Sequence, residues 1–496
     1  MAVQPGLAPV YRTADLRAIE ESARAQPLME RAGLAAAEAA RAMAGDRGGK
    51  VLILAGPGNN GGDALVVARW LRQWFFDTTV VFRAESAKLP PDAAAAYRAF
   101  IAAGGTTLAD IPAGWRGTLI IDGLFGIGLK RALAADYATL VDEANALAVP
   151  IFALDVPSGL DAETGVAFRP VIRASATATF IALKPGLLTG DGVDCCGALS
   201  VHPLGLDPET IAPAPGHRLD WSALSLALPD VLRRRARNVH KGTFGTLAIV
   251  GGAAGMTGAP LLAGRAALHA GAGKVWVGFA ATDFPAVDWG QPELMLRPAS
   301  RVLGGGADAL VCGPGLGTDE TAKALVARAL AESAPLVLDA DALNLIATDP
   351  ALAGAVTARA APTLATPHPA EAARLLAMSI ADVEADRLGA AQALSKKLNA
   401  SVVVKGAGSV LAHSDGSFDI NATGNPGLST AGTGDVLSGF AGAFLAQRID
   451  AKTALRLAVC LHGAAADACV AAGHGPLGLT AAELLPAARG LLNGSR

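Results

Sequence analysis

Short, continuous apolar runs alternate with alanine-rich helical patterns through the first part of the chain. Glycine, proline and aspartate bound these runs. Strands that are buried on both faces have this composition, and helices between them imply a parallel sheet. The runs lie at 51–56, 78–84, 118–126, 150–159 and 176–186.

A second series of the same kind follows a break in the pattern. Residues 203–230 are rich in proline and show no clear period, so we interpret them as an interdomain connection. We therefore predict two α/β domains, at residues 1–217 and 218–496. The second series consists of runs at 246–252, 274–280, 309–315, 335–343, 362–369 and 401–412, and it ends in a glycine-rich loop and a helical pattern at 424–445.

Composition narrows the class of protein. Apolar residues make up 52% of the chain and the mean hydropathy is +0.38, yet no run reaches the ~18 uninterrupted apolar residues of a membrane span. The N-terminus has neither the basic region nor the apolar region of a signal peptide. We expect no membrane association and a cytoplasmic location.

Cysteine usage and charge exclude further classes. The five cysteines are odd in number and form no C-x-x-C pair, which argues against a disulfide framework and a zinc site. The net charge is −3 and the one basic cluster lies at 233–237. Because a nucleic-acid-binding protein would show a whole basic face, we predict no nucleic-acid partner.

The first apolar run leads into G-x-G-x-x-G at 56–61. This pattern by itself is typical of a dinucleotide-binding dehydrogenase, and Glu85 stands where the ribose-binding carboxylate would be. Asp63 argues against that function. It follows the glycines at the expected start of a helix, where a carboxylate repels a pyrophosphate.

Other strand ends of the first domain carry hard oxygen ligands. Asp122 lies in the last part of one run, Asp155 and Ser158 lie in the last part of another, and the side chains of Asn59 and Asn60 add amide oxygens. Ligands of a parallel sheet gather at the carboxyl ends of its strands, so these residues are candidates for a hard-cation site. The alternative is that the aspartates cap turns and the asparagines only adopt unusual backbone angles.

These segments resemble the NAD(P)H-hydrate epimerase domain. The resemblance covers most of residues 10–205 and rests on LMERAG, GPGNNGGDALVVARWL, DGLFGIGL, DVPSGLDAETG and ALKPGLLTGDG. It implies a potassium ion held by Asn60, Asp122 and Ser158. It also implies substrate contacts from Asn59, Asn60, Gly61, Gly62, Asp63, Gly126, Ile127, Gly128, Leu129, Lys130, Arg131, Ala132 and Asp155.

The chain departs from the epimerase pattern at two positions. Ala64 stands where the family usually has glycine, and Arg31 where it often has asparagine. A methyl group at position 64 would crowd a close backbone approach there.

A-G-T-G-D at 431–435 opens a helical pattern in the second domain. Its glycines let backbone N–H groups converge on an anion at a helix N-terminus, and Asp435 can take a proton from a substrate hydroxyl beside that anion. The alternative is a glycine-rich turn capped by aspartate. Further polar motifs follow strand-like runs, and Lys405 in K-G-A-G-S is a candidate for nucleotide phosphates. His368 is either a substrate ligand or a structural histidine.

The second domain resembles the ribokinase-like superfamily, and more closely its ADP/ATP-dependent NAD(P)H-hydrate dehydratases. The motifs are HKGTFG, TGAPLLAGRAAL, GPGLG, LDADALN, TPHPAEAARLL, VVVKGAGSV and NPGLSTAGTGDVLSG, within residues 235–445. The resemblance implies contacts to the hydrated nicotinamide nucleotide from Ala259, Gly315, Gly317, His368 and Asp435. It implies that the adenine nucleotide, ADP with Mg²⁺, is bound by Lys405, Gly406, Ala407, Gly408, Ser409 and Gly434.

Together these features predict a bifunctional repair enzyme, with an N-terminal Rossmann-like three-layer domain and a ribokinase-like α/β domain. Hydration puts a hydroxyl group on C6 of the nicotinamide ring. Phosphorylation by ADP, with Asp435 as the base, would turn that hydroxyl into a good leaving group.

The first domain would convert the other epimer, through ring opening or through loss and return of water. Asp155 would handle the proton, assisted by Lys184 if that residue lies nearby and is not a surface lysine. The expected partners are hydrated NADH or NADPH and ADP, in a homo-oligomer. The alternatives are a ribokinase-like small-metabolite kinase fused to a non-catalytic nucleotide-binding domain, or a dehydrogenase.

Overall fold

The computed structural model describes residues 7–45 and 48–494. The chain forms two compact units, here called the N-terminal unit (8–216) and the C-terminal unit (from residue 217). Each is an α/β unit built around its own sheet.

The N-terminal unit alternates strands and helices in the order that the apolar runs predict. Its strands are β1 (Ala8–Val10), β2 (Lys50–Ala55), β3 (Asp77–Phe82), β4 (Thr107–Leu108), β5 (Leu119–Gly123), β6 (Ile151–Leu154), β7 (Ala176–Phe180) and β8 (Ala198–His202). Its helices are α1 (Thr13–Ser22), α2 (Leu28–Ala44), α3 (Asn59–Gln73), α4 (Pro91–Ala102), α5 (Ala135–Ala146), α6 (Gly192–Cys195) and α7 (Pro208–Ile211), with single 3₁₀ turns at Ser86–Lys88 and Pro185–Leu187.

The sheet of this unit has the strand order β4-β3-β2-β5-β6-β7-β8, and every neighbouring pair is parallel. Successive residues of β2 enter cores on opposite faces: Ile53 packs in one buried cluster and Leu54 in another. Helices therefore cover both faces, which is why the strands have no polar alternation. The chain order reverses between β2 and β5, and such a switch point is where ligands bind.

The C-terminal unit begins with β9 (Gly216–Leu219), at the boundary. Its other strands are β10 (Thr246–Gly251), β11 (Lys274–Phe279), β12 (Met295–Pro298), β13 (Ala309–Cys312), β14 (Leu336–Leu338), β15 (Thr363–Ala365), β16 (Ser401–Val404), β17 (Val410–Ala412) and β18 (Phe418–Asn421). Its helices are α8 (Trp221–Leu226), α9 (Asp230–Arg233), α10 (Gly258–His269), α11 (Ala299–Val302), α12 (Glu320–Ala331), α13 (Asp341–Thr348), α14 (Pro350–Thr357), α15 (Pro369–Leu376), α16 (Ile380–Ala385), α17 (Arg387–Leu398), α18 (Thr433–Ala446), α19 (Ala451–Ala471) and α20 (Leu484–Gly494). Single 3₁₀ turns lie at Lys241–Phe244, Pro426–Leu428 and Ala481–Glu483.

The strand order of this unit is β9-β18-β17-β16-β15-β14-β13-β10-β11-β12. Strands β10 to β16 are parallel to one another, β17 is antiparallel to β16, and β18 is antiparallel to β17. The order reverses at β10, so the loops after β10, β13, β14, β15 and β16 meet at one edge. Among the described residues one helix, α19, is long and apolar enough to cross a membrane, and 78% of its most apolar window is buried inside the protein.

Each predicted apolar run contains a strand, with two differences in detail. The run at 401–412 holds two strands, β16 and β17, because the loop between them reverses the chain. The segment at 203–230 is not irregular throughout, since it contains α7, β9 and α8. These elements are too short to show a period in the sequence. All five cysteines are free and buried, as expected.

Candidate functional sites

The first site lies at the switch point of the N-terminal sheet, where the loops after β2, β5 and β6 meet. Gly126 shows how close they come. A methyl group added at Gly126 would lie 3.2 Å from Asp155 Oδ2 and 3.4 Å from Asn60 Cγ. Three segments far apart in sequence thus converge here, as the motif positions predict.

The glycines of the first loop serve close backbone packing. A Cβ atom at Gly56 would lie 1.7 Å from the carbonyl oxygen of Leu124, and one at Gly61 would lie 2.0 Å from that of Gly56. Helix α3 begins at Asn59. Asp63 is therefore the fifth residue of the helix, and the expectation that it stands at the helix start is wrong by one turn.

Asp122 is fully buried at the end of β5 and is bound by Ser158. Its carboxylate accepts hydrogen bonds from Ser158 N (2.8 Å), Ser158 Oγ (2.6 Å) and Leu124 N (3.2 Å). Burial raises the pKa of Asp122 to about 6, although these hydrogen bonds lower it in part. No cationic side chain pairs with this carboxylate in the described parts of the chain.

The amide group of Asn60 lacks hydrogen-bond partners among the described residues. Both of its polar atoms are buried. The carbonyl oxygen of Phe125 lies 3.3 Å from Ser158 Oγ, which adds another oxygen to the same region. A buried carboxylate without a cation and an unpaired amide oxygen fit a hard cation.

Lys184 is buried beside Asp155 and is not a surface lysine. Its exposed fraction is 1%. Its Nζ atom donates to Asp155 Oδ1 (2.5 Å), Thr179 Oγ1 (2.7 Å) and the carbonyl oxygen of Phe180 (2.9 Å). All three donor sites of the ammonium group are thus used. Asp155 itself has a left-handed backbone conformation, with φ at 64°.

Two further carboxylates surround this pair. Burial, then the charges of Asp155 and Glu20, raise the pKa of Asp63 well above its usual range, and Lys184 lowers it in part. Glu20 belongs to α1 and was not predicted as a site residue. The carboxylate of Glu20 interacts electrostatically with Asp155 and Lys184.

The segment 126–132 forms the rim of this site. Lys130 Nζ lies 3.4 Å from the buried Asp161 Oδ1. A methyl group at Gly128 would lie 3.8 Å from the guanidinium Nη2 atom of Arg17 on α1. The structure therefore brings Gly126 next to Asn60 and Asp155, Gly128 near α1, and Lys130 beside Asp161.

The two departures from the epimerase pattern have structural explanations. Ala64 is fully buried, and a Cβ atom at Gly123 would lie only 2.5 Å from its methyl group. Glycine at 123 thus leaves room for the methyl group of Ala64. Arg31 donates to the carbonyl oxygen of Leu204 (2.8 Å) and to Gln26 Oε1 (2.6 Å), so it holds local structure.

The second site lies at the carboxyl edge of the C-terminal sheet. Asp435 is in the first turn of α18, which begins after Gly432 in a left-handed conformation (φ 88°). Burial and the nearby Asp339 carboxylate raise the pKa of Asp435 to about 7, while Lys405 lowers it in part. A carboxylate poised near neutral pH suits a general base.

Asp339 is a candidate site residue to which the sequence motifs assigned no role. It is 2% exposed and accepts from Lys405 Nζ (3.2 Å) and from Ser438 Oγ (2.5 Å). A Cβ atom at Gly434 would lie 3.5 Å from Lys405 Nζ. Burial lowers the pKa of Lys405, but Asp339 and Glu371 raise it by more. The ammonium group thus stays charged beside the glycine-rich turn.

His368 has a structural role at the rim of the same site. Its Nδ1 atom accepts from Ala370 N (3.1 Å) and so caps α15, and its Nε2 atom lies 3.2 Å from Glu371 Oε1. Burial, then the charges of Lys405 and Arg374, lower the pKa of His368. The side chain remains 47% exposed.

The loops after β10 and β13 meet beside α10. A Cβ atom at Gly315 would lie 3.1 Å from the methyl group of Ala259 and 2.7 Å from the carbonyl oxygen of Met256. Gly317 N donates to Asp341 Oδ2 (2.8 Å). The structure thus brings Gly315 next to Ala259, and Gly317 follows two residues later.

The loop 405–409 is closed by its own hydrogen bonds. Gly406 N donates to Ser409 Oγ (3.2 Å), which donates in turn to the carbonyl oxygen of Gly406 (2.9 Å). Arg387 Nη1 donates to the carbonyl oxygen of Ala407 (2.6 Å). Gly408 takes a left-handed conformation (φ 62°). These contacts hold the loop in a defined shape beside Lys405.

Two family models match the chain. One is NAD(P)H-hydrate dehydratase, over residues 247–487, and the other is the YjeF-related protein N-terminus, over residues 25–186. The second match begins after α1.

Curated relatives match over most of their length. The chain is 40% identical over 472 residues to the bifunctional NAD(P)H-hydrate repair enzyme of Escherichia coli (strain K12), covering 94% of this chain and 89% of that protein. It is 36% identical over 484 residues to the corresponding enzyme of Coxiella burnetii, covering 96% of each.

Among solved structures, an ADP/ATP-dependent NAD(P)H-hydrate dehydratase from Bacillus subtilis, co-crystallized with ATP/Mg²⁺, is 29% identical to this chain. It covers 56% of this chain and 99% of its own, with a TM-score of 0.48.

Proposed function

The chain belongs to the family of bifunctional NAD(P)H-hydrate repair enzymes, with an epimerase domain before a dehydratase domain, and on this premise we propose how its two sites restore hydrated NADH and NADPH. The N-terminal unit interconverts the R and S hydrates at nicotinamide C6. The C-terminal unit dehydrates the S hydrate with ADP and releases AMP and phosphate.

The observation that carries the dehydratase proposal is Asp435 with its pKa of about 7, in the first turn of α18. Asp435 takes the proton from the C6 hydroxyl group as the oxygen attacks the β-phosphorus of ADP, and AMP leaves. The new phosphate ester then breaks at the C6–O bond with help from the ring nitrogen. Loss of a proton from C5 forms the C5–C6 double bond of NAD(P)H.

The charges of this transfer are stabilised at the turn before α18. The backbone N–H groups of 432–435 face the transferred phosphoryl group, since a helix N-terminus binds anions. Lys405, the loop 406–409 and Gly434 bind the adenine nucleotide. Ala259, Gly315, Gly317 and His368 contact the hydrated nicotinamide nucleotide.

Mg²⁺ bound to ADP would be held at this site, because the ion is usually bound by nucleotide phosphates and one or two carboxylates. The carboxylates of Asp339 and Asp435 offer the hard oxygen atoms that it prefers. The ion supplies positive charge at the phosphoryl group during transfer.

In the first site, Asn60, Asp122 and Ser158 hold a potassium ion. The uncompensated charge of Asp122 and the unpaired amide of Asn60 support this assignment. The ion supplies positive charge that holds the loop after β2 in place. Asp155 handles the proton of the C6 hydroxyl group, and Lys184 keeps Asp155 oriented.

The substrate of the first site lies between the start of α3 and the rim loop. Asn59 to Asp63, Gly126 to Ala132 and Asp155 are its proposed contacts. A cytoplasmic location and a homo-oligomeric state stay predictions.

The decisive experiment uses separated R and S hydrates of NADH. We expect the S hydrate to regain NADH absorbance only with ADP and Mg²⁺, and the R hydrate to do so after epimerisation. A small-metabolite kinase would leave both hydrates unchanged with ADP. An N-terminal unit that binds without catalysis would leave only the R hydrate behind.

A further inference from the structure

Helix α1 lies outside the region that the family model covers, yet it forms part of the first site. Its start is held by Glu163: Thr13 N donates to Glu163 Oε2 (3.0 Å), and Arg12 lies 3.4 Å from Glu163 Oε1. Leu16 and Ile19 are buried, at 1% exposure each. These contacts fix which face of α1 turns toward the site.

That orientation brings Arg17 and Glu20 to the mouth of the site. The two residues are three positions apart and are therefore neighbours on the helix surface. Arg17 lies beside Gly128 of the rim loop, as described above. Glu20 lies within electrostatic range of Asp155, Asp63, Lys184 and Arg17.

Glu20 thus joins a cluster of three carboxylates around one ammonium group. Asp63 and Lys184 are buried and the Asp155 side chain is 13% exposed, whereas Glu20 is exposed to solvent. Partial desolvation of its carboxylate and, to a smaller extent, the negative charge of Asp155 raise the pKa of Glu20. A cluster with more carboxylates than ammonium groups holds an additional proton more readily than isolated side chains do.

We propose that Glu20 is a positioning residue of the first site, which passes protons between solvent and the Asp155–Lys184 pair. The inference rests on the proposed epimerase function of that site. Glu20 acts through Asp155 and does not touch the reacting carbon.

Both routes of epimerisation need such an exchange. In ring opening, the hydroxyl group loses its proton as the C6–N1 bond breaks, and N1 gains a proton; reclosure on the other face reverses both transfers. In the other route the C6 hydroxyl gains a proton and leaves as water, and the water that adds to the opposite face loses one. The group that donates a proton to the substrate and the group that accepts one from it lie at different places in either route. A proton must therefore return from the acceptor to the donor before the next turnover.

The test compares Glu20→Gln with Glu21→Gln. Glu21 is the next residue of α1, but its side chain is 70% exposed and pairs with Arg24 at 2.9 Å, so it makes a matched control. Conversion of the R to the S hydrate of NADH is measured across pH and across imidazole concentration. Dehydration of the S hydrate by the same protein preparation monitors the folding of the chain.

We expect kcat of epimerisation to fall at least about tenfold in Glu20→Gln, since positioned proton transfer contributes about 10²–10⁴ in rate. KM should stay within about twofold, as expected for loss of a step that does not bind substrate. Added imidazole should restore the rate of Glu20→Gln and leave wild type and Glu21→Gln unchanged. Glu20→Asp should keep part of the activity.

Two results would overturn the proposal: equal rates and equal imidazole dependence in Glu20→Gln and Glu21→Gln, or a rise in KM with kcat unchanged. If wild type itself does not convert the R hydrate, the proposed epimerase function has failed, and this outcome is distinct from failure of the relay.

Discussion

Lys184 Nζ lies 2.5 Å from Asp155 Oδ1 in the interior of the N-terminal unit, although the two residues are 29 positions apart. Lys184 has no other carboxylate within salt-bridge distance among the described residues. The ammonium group of Lys184 and the carboxylate of Asp155 therefore compensate each other's charge in this buried region. The pair is also the candidate proton-handling group of the first site.

We predict that Lys184→Met abolishes most epimerase activity and destabilises the N-terminal unit. Removing one partner of a buried ion pair costs about 3–5 kcal/mol, because the other charge is left uncompensated. Urea unfolding and R-to-S conversion check the two effects. Lys88→Met is the control, since Lys88 is 75% exposed and should change neither. Unchanged epimerisation in Lys184→Met would remove Lys184 from the mechanism.

Dehydration of the S hydrate should rise with pH through about 7. Asp435 must be deprotonated to accept the hydroxyl proton, and its pKa is raised to about 7, so the base form is lost as pH falls below that value. The pH profile of kcat/KM with ADP measures this directly.

Asp435→Asn should lower dehydration by about 10²–10⁴ and remove the rise near neutral pH, because the base is gone. Epimerisation should continue at the wild-type rate. Asp230→Asn, at a carboxylate that is 79% exposed, is the matched control. A full rate in Asp435→Asn would mean that another group takes the proton.

Potassium should raise the melting temperature of the N-terminal unit. A ligand that binds only the folded state at about 100 times its Kd stabilises by about 2.7 kcal/mol. Thermal melts in potassium chloride and in choline chloride at equal ionic strength measure the effect. Asp122→Asn should abolish the difference, because the buried negative charge is removed. Equal melting temperatures of wild type in the two salts would contradict the cation site.

Ala64 and Gly123 should be coupled in stability. Gly123→Ala brings a methyl group to 2.5 Å from that of Ala64 and to 2.9 Å from the carbonyl oxygen of Asn60. Overpacking of this kind costs about 1–3 kcal/mol. Adding Ala64→Gly should recover only part of that loss, since the clash with the backbone of Asn60 remains. A double variant as unstable as the sum of the single ones would show that the two methyl groups do not meet.

The alternation of apolar runs and helical patterns was enough to predict two parallel α/β units. Short elements escaped prediction, as in β9, because four residues carry no readable period. The motif positions also indicated which loops converge, since the carboxyl ends of parallel strands share one edge. Of the residues predicted in this way, Asp122 is hydrogen-bonded to Ser158, and Asn60 and Asp155 both lie close to Gly126.

The sequence by itself determined the fold class, the family and the motif residues of both sites. Only the tertiary structure decided that Lys184 is buried, that Asp339 pairs with Lys405 across 66 positions, and that Glu20 of α1 interacts electrostatically with Asp155 and Lys184. The physical reason is that motifs are local patterns, whereas burial and charge pairing depend on distances between segments that only folding brings together. The pKa of Asp435 near 7 also depends on the fold, because the surroundings of the carboxylate raise it and the residue type alone does not.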